Sequence, residues 1–162
     1  MNSSLPSANR DHAKNLVGEA VSFYRSAGKQ MALAEFMNPR GQFIREDLYV
    51  FALDLDGTML AHPLDHRLIW VNLMDFCDSD GKAFIREIVD VARRGLSGFT
   101  RYSWFDLRSQ KKLPKMIYYQ IIESVIVCAG FYHTGENVSD GRPLPEDRYP
   151  ENFFDLLEYL GA

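Results

Sequence analysis

The stretch LYVFALDLDGTMLAHPLD, residues 48–65, decides between two very different folds. An apolar run at 48–53 leads into the letters DLDGT at 54–58, and a second short apolar run ends at His62 and Pro63. Asp-Gly between two apolar runs predicts a β-hairpin, because glycine tolerates the positive φ that tight hairpin turns need. On this interpretation Asp54 and Asp56 shape the turn.

The same letters resemble the nucleophile motif of the haloacid dehalogenase-like phosphatases, in which one aspartate follows a buried strand and a second comes two residues later. That alternative makes Asp54 and Asp56 catalytic, with Lys115 on the phosphoryl group and a bound Mg²⁺. It also requires a late acidic pair after an apolar strand, and a parallel sheet that the motif opens. Neither pattern is visible here. We therefore favour the hairpin and predict no catalytic residue.

Composition limits the classes of function. The 162 residues are 46% hydrophobic and 13% aromatic, enough for one domain with an apolar core. A net charge of −4 without a basic block argues against nucleic-acid binding. No membrane segment or signal peptide is recognisable, so we expect a cytoplasmic protein, or an extracytoplasmic one if the chain is an excised domain. Cys77 and Cys128 form no metal-ligand pattern, and no cofactor is indicated.

The periodicity predicts an α+β domain. A helical pattern runs from Asp11 to Phe36, with Gly28 as a kink or a break, and a second helix is expected at 82–94. Consecutive strands joined by short loops imply an antiparallel sheet. The three strands after the second helix are predicted at 99–107, 114–123 and 125–133.

Five segments together make residues 10–134 resemble the single Cache domains, which are sensor modules of bacterial chemoreceptors and signalling proteins. The segments are YVFALDLDGTMLAHP, NLMDFCDSDGKAFIREIV, GFTRYSWF, LPKMIYYQ and CAGFYH. The resemblance implies a PAS-like Cache fold, with a long N-terminal helix packed on a five- or six-stranded antiparallel sheet. It also implies a non-enzymatic role: binding a small ligand, often a short-chain carboxylate, between the sheet and a loop.

The resemblance and the strand pattern together nominate a ligand site. Lys115 begins a strand and offers a point charge to a carboxylate, unless it is a solvated edge lysine. Tyr102 and Trp104 share one strand face and can form an aromatic wall or sheet core. His62 ends a strand and can donate to the ligand or bond a loop backbone. The predicted ligand-binding residues are His62, Trp70, Tyr102, Trp104, Lys115 and Tyr118, with Tyr49 a weaker candidate.

Trp70 also marks a departure from the family. Where the family often has Gly-Lys after the His-Pro strand, this chain has Trp70-Val71, and we expect the indole to narrow the pocket. An alternative is therefore a structural or interaction module whose pocket Trp70 fills. Residues 135–162 are interpreted as a polar tail with a short amphipathic helix at 153–160. That helix and the N-terminal helix suggest a homodimer or a signalling partner protein.

Overall fold

The computed structural model describes residues 10–45, 48–106 and 111–132, and of residues 104–106 and 111 it describes the backbone alone. The predicted tail at 135–162 lies outside the described residues. The helices are α1 (Arg10–Ala27), α2 (Lys29–Phe36) and α3 (Phe84–Arg93). The strands are β1 (Ile44–Arg45), β2 (Leu48–Asp54), β3 (Met59–Ala61), β4 (Gly98–Asp106), β5 (Lys111–Ile122) and β6 (Val125–Tyr132).

The six strands form one antiparallel sheet in the order β1-β2-β6-β5-β4, and β3 pairs with the far half of β2. This confirms the predicted PAS-like Cache architecture of helices on an antiparallel sheet. It contradicts the parallel sheet that the phosphatase alternative requires. In the observed register Lys115 on β5 lies opposite Tyr102 on β4 and Tyr132 on β6.

The predicted hairpin is confirmed between β2 and β3. The Asp54 carboxylate Oδ1 accepts hydrogen bonds from the backbone N–H of Asp56 at 2.8 Å and of Thr58 at 2.9 Å. The backbone N–H of Asp54 donates to the carbonyl of Thr58 at 2.9 Å. Gly57 takes a φ of 82°. The carboxylate that the phosphatase alternative needs as a nucleophile is thus engaged in holding the turn.

Two apolar cores form on opposite faces of the sheet. On one face α1 and α2 pack on alternate strand residues such as Val50, Met116 and Val127. On the other face α3 and the segment 62–83 pack on the intervening residues, such as Phe51 and Ile117. The alternation follows from the period of two along a strand. The helical region breaks at Gly28, whose φ is 89°, so it forms two helices rather than one kinked helix.

The loop motif Asp78-Ser79-Asp80-Gly81-Lys82 is fixed to β4, the strand at one edge of the sheet. The Asp78 side chain is buried, and its carboxylate accepts from the backbone N–H of Asp80, Lys82 and Ser103 at 2.8–2.9 Å. The Lys82 ammonium donates to the carbonyl of Arg101 at 2.7 Å. This loop therefore holds the start of α3 against the sheet. We call residues 78–82 the edge loop.

The hairpin turn generates a stability prediction. Gly57→Ala places a Cβ 2.5 Å from the Cγ of Met74 and forces alanine into the left-handed region. We expect it to lower the free energy of unfolding by about 1–3 kcal/mol, measured by urea denaturation.

Gly18→Ala is the matched control, because Gly18 lies inside α1 and a Cβ added there would meet no neighbouring atom within 4 Å. Alanine in a helix interior should raise the free energy of unfolding by about 0.5–1 kcal/mol. Equal stability of the Gly57→Ala variant and the unaltered protein would contradict the strained turn.

Candidate functional site

A cavity of about 200 Å³ lies between the sheet and the layer made by α3 and residues 62–83. Sites for drug-sized ligands are usually about 300–1,000 Å³, so this cavity suits a smaller molecule. Its polar lining comes from five side chains: Tyr49, His62, Asp65, Tyr102 and Lys115. Its apolar lining comes from Phe51, Met59, Leu68, Leu73, Phe76, Phe84, Ile85 and Ile117.

Lys115 is held between two tyrosine rings. Its ammonium nitrogen lies 5.8 Å from the ring centre of Tyr102 and 4.7 Å from that of Tyr132, the two residues opposite it in the sheet. An ammonium group over the face of an aromatic ring is attracted by the ring quadrupole. The two rings therefore hold the cation in position at the edge of the cavity.

His62 is buried, with 8% of its surface exposed, and its tautomer is determined by the backbone. Its Nδ1 accepts from the backbone N–H of Leu64 at 3.2 Å and of Asp65 at 3.1 Å. Nδ1 therefore carries no proton, and Nε2 does. Burial lowers the pKa of His62 to about 4, so at neutral pH the ring is an uncharged hydrogen-bond donor through Nε2–H.

Tyr102 is covered by an aromatic ring and sits beside a glycine. The Phe84 ring, at the start of α3, stacks on the Tyr102 ring with centres 4.1 Å apart. A Cβ at Gly130 would lie 3.9 Å from the Tyr102 hydroxyl oxygen, so any longer side chain at 130 would crowd that hydroxyl. Burial raises the pKa of Tyr102 well above its usual value and that of Tyr49 to about 12. Both hydroxyls therefore stay protonated and able to donate.

Among the described residues, the acidic side chain in the lining is Asp65, and Arg67 neutralises it. The Arg67 guanidinium donates through Nε at 2.9 Å and through Nη2 at 2.8 Å to the two carboxylate oxygens. These hydrogen bonds lower the pKa of Asp65, which stays ionised and paired. Arg67 therefore balances the negative charge that Asp65 brings to the lining.

The structure brings three of the six predicted site residues to the cavity: His62, Tyr102 and Lys115. Tyr118 instead packs in the core under α1, beside Phe99 at 4.9 Å between ring centres. The physical reason is strand parity: Tyr118 is three residues from Lys115 and so faces the other side of the sheet. The side chain of Trp104 lies outside the described part of the chain.

Trp70 does not fill the cavity. Its side chain is 74% exposed and absent from the lining, so the expectation that the indole narrows the pocket is wrong. The residue has a φ of 71°, a conformation that favours glycine. Its backbone N–H donates to the carbonyl of Met59 at 2.8 Å, which holds the strained residue beside β3.

Sequence reasoning underrates several residues that line the cavity or lie next to it. Tyr49 is only a weaker candidate by sequence, although it shares a strand face with Phe51, and its ring centre lies 5.1 Å from that of His62. Phe84 and Ile85 are recognisable only as the apolar face of a helix. Gly130, a glycine within an apolar strand, is a readable signal of close approach by another group.

Two classes of site are absent from the part of the chain that the structure describes. No group of three or more His, Cys, Asp or Glu side chains there can hold a metal ion. Within the same residues, no helix has the length and apolar character needed to cross a bilayer.

Comparisons with known proteins agree on the fold. The sequence model of the family Single Cache domain 2 matches residues 7–133. The structure is similar to that of a methyl-accepting chemotaxis protein from Vibrio parahaemolyticus RIMD 2210633, with a TM-score of 0.62 and 24% identity over 76% of this chain and 87% of that chain. The comparison with curated proteins gave no match.

Two further solved structures are similar. One is a periplasmic sensor domain of a chemotaxis protein, with a TM-score of 0.55 and 26% identity over 75% of this chain and 88% of that chain. The other is a Cache chemosensory domain described for carboxylic acid recognition, with a TM-score of 0.57 and 23% identity over 75% of this chain and 86% of that chain.

The buried His62 makes stability depend on pH. Its folded pKa of about 4 lies below the ordinary value of 6.5, so between these values the unfolded chain binds the proton more readily. The stabilisation is present above pH 6.5 and is lost as the pH falls towards 4. Between pH 7 and pH 5 the loss from this residue should be about 2 kcal/mol, measured by urea denaturation.

His62→Asn is the control, because the asparagine Oδ1 can replace Nδ1 as the acceptor and does not titrate. The unaltered protein should lose about 2 kcal/mol more between pH 7 and pH 5 than this variant. The same loss in both proteins would show that His62 is not held neutral by burial.

Trp70→Gly should relieve the strained backbone at little cost in burial, because most of the indole is exposed. We expect the free energy of unfolding to stay the same or rise by up to about 1 kcal/mol in urea. A clear loss of stability would mean that the indole makes contacts that its exposure does not suggest.

Proposed function

This chain belongs to the single Cache domain family, and we propose that its cavity binds one small anionic metabolite, a short-chain carboxylate, as the input of a signalling module. The proposal includes no chemistry on the ligand. Its site residues are His62, Tyr102 and Lys115, with Tyr49 added from the geometry of the lining.

One observation carries the proposal: four side chains with hydrogen-bond donors, one of them positively charged, line a small cavity in which Asp65 is paired with Arg67. Lys115 supplies a positive charge that can only donate, and the neutral ring of His62 presents Nε2–H. The hydroxyls of Tyr49 and Tyr102 stay protonated at physiological pH. A carboxylate accepts from such groups in charge-assisted hydrogen bonds, which are about twice as strong as neutral ones.

A neighbour with the same fold supplies a precedent. One similar Cache chemosensory domain is described for carboxylic acid recognition. At 23% identity that likeness concerns the fold, so the ligand class proposed for this chain depends on its own donors. Because the cavity is about 200 Å³, acetate, propionate, lactate and pyruvate are all small enough to test.

The signal must leave the domain through a surface, and α1 is the element we propose for it. The Tyr24 hydroxyl on α1 donates to the Glu123 carboxylate at 2.8 Å and so ties the helix to the turn between β5 and β6. Both strands next to that turn have residues on the sheet face that bears the cavity, such as Ile117 on β5 and Cys128 on β6. A homodimer or a partner protein that contacts α1 would then sense a change in the sheet.

By analogy with the periplasmic neighbour, we propose an extracytoplasmic compartment.

Thermal-shift and calorimetric titrations with acetate, propionate, lactate and pyruvate test the ligand proposal. Any acid that binds the folded state stabilises it by mass action, by about 2.7 kcal/mol at a hundredfold excess over Kd. Lys115→Gln should weaken the binding by about tenfold to a hundredfold, because a charge-assisted hydrogen bond is lost. Tyr102→Phe should weaken it by a smaller factor.

Two variants are matched controls for these changes. Lys14→Gln removes the same charge from an exposed position on α1, and Tyr118→Phe removes the same hydroxyl from the opposite face of the sheet. Neither should change the affinity. If neither these four acids nor any longer monocarboxylate shifts the melting temperature at millimolar concentration, the ligand proposal fails and the structural or interaction role remains.

A further inference from the structure

Where α3 lines the cavity, its lining residues Phe84 and Ile85 are apolar. Lys115, Tyr102 and Tyr132 form one row across three strands. Phe51 lies further along the sheet, in the row of Cys128. Four residues of strand separate the two rows, a distance of about 13 Å at the usual rise per residue. The direction along the sheet passes Tyr49 and reaches His62, whose ring centre is 6.0 Å from that of Phe51. We therefore direct the remaining atoms of a ligand bound at Lys115 towards α3.

We call Leu73, Phe76, Phe84 and Ile85 the apolar end of the cavity. It begins at the Tyr102 ring with a series of aromatic contacts. Phe84 stacks on Tyr102, and Phe76 lies edge-on to Phe84 with ring centres 5.7 Å apart. Ile85 and Leu73 complete this end. None of these four side chains has a hydrogen-bonding group. A hydroxyl, keto or second carboxyl group placed among them would lose its water without gaining a partner.

Given the proposed function, we propose that the cavity selects a monocarboxylate with an uninterrupted apolar tail, about five carbons in total, over acids that carry a second polar group. The size follows from the volume. About 200 Å³ holds about seven water-sized atoms at about 30 Å³ each, and pentanoate has that many non-hydrogen atoms. Acetate, with four non-hydrogen atoms, would leave about two-fifths of the space empty and forfeit contacts with the apolar walls.

Calorimetric titration with the unbranched acids from acetate to octanoate tests this selectivity. Each added methylene that enters the apolar end should tighten binding by about fourfold, up to about pentanoate. Hexanoate and octanoate should then bind progressively more weakly, because they exceed the space. Glutarate and 4-oxopentanoate have the same five-carbon chain as pentanoate but carry a second polar group. Each should bind at least about tenfold more weakly than pentanoate.

Two variants locate the tail. Ile85→Phe adds bulk at the apolar end and should move the optimum to a shorter acid. Phe76→Leu removes bulk there and should move it to a longer one. Urea denaturation of each variant shows whether it folds, and if Ile85→Phe does not, Phe76→Leu still carries the test. An unchanged optimum in a folded Phe76→Leu variant would overturn the placement of the tail.

The outcomes separate this inference from the proposed function. If acetate or lactate binds as tightly as pentanoate, or if glutarate does, the cavity is an anion site without tail selection and the inference is overturned. If no acid binds at any length, the proposed function fails together with the inference. A rise in affinity to an optimum at about pentanoate, lost in Lys115→Gln, supports both.

Discussion

Strand β6 has no solvent-facing side, and the rest of the structure depends on that burial. Every residue from Val125 to Phe131 is buried, with alternate side chains in the two cores. A strand apolar on both faces needs cover on both, so α1 and α2 must lie on one side and α3 on the other. On the side of α3, the loop segment 62–83 makes part of the cover. The cavity lies under that loop and α3.

Contacts within the protein hold several polar side chains of the cavity in place. Two backbone N–H groups hold the His62 ring in one tautomer, two tyrosine rings hold Lys115, and Arg67 holds Asp65. Each polar group is therefore positioned by the protein rather than by the ligand. Such an arrangement reduces the conformational entropy that binding would otherwise cost.

Local chemistry makes much of the fold predictable, and the limits of the prediction are also physical. The Asp-Gly turn, the helix break at Gly28 and the three C-terminal strands follow from short-range rules. Strand parity alone excludes Tyr118 from the face that carries Lys115. The exposure of Trp70 is beyond sequence reasoning, because it depends on the positive φ of a loop residue. The apolar end of the cavity cannot be predicted for another reason. A cavity forms where packed elements do not meet, and the periodicity of a sequence predicts the elements but not the gaps between them.

The edge loop has a consequence for the protein outside the binding site. Because β4 is the last strand of the sheet, its outer backbone groups are a template to which a foreign strand can add. The Asp78 carboxylate occupies the N–H of Ser103, and the Lys82 ammonium occupies the carbonyl of Arg101. Side chains of the same molecule thus take the places that another chain would use. At high local concentration the domain is guarded at this stretch against edge-to-edge aggregation.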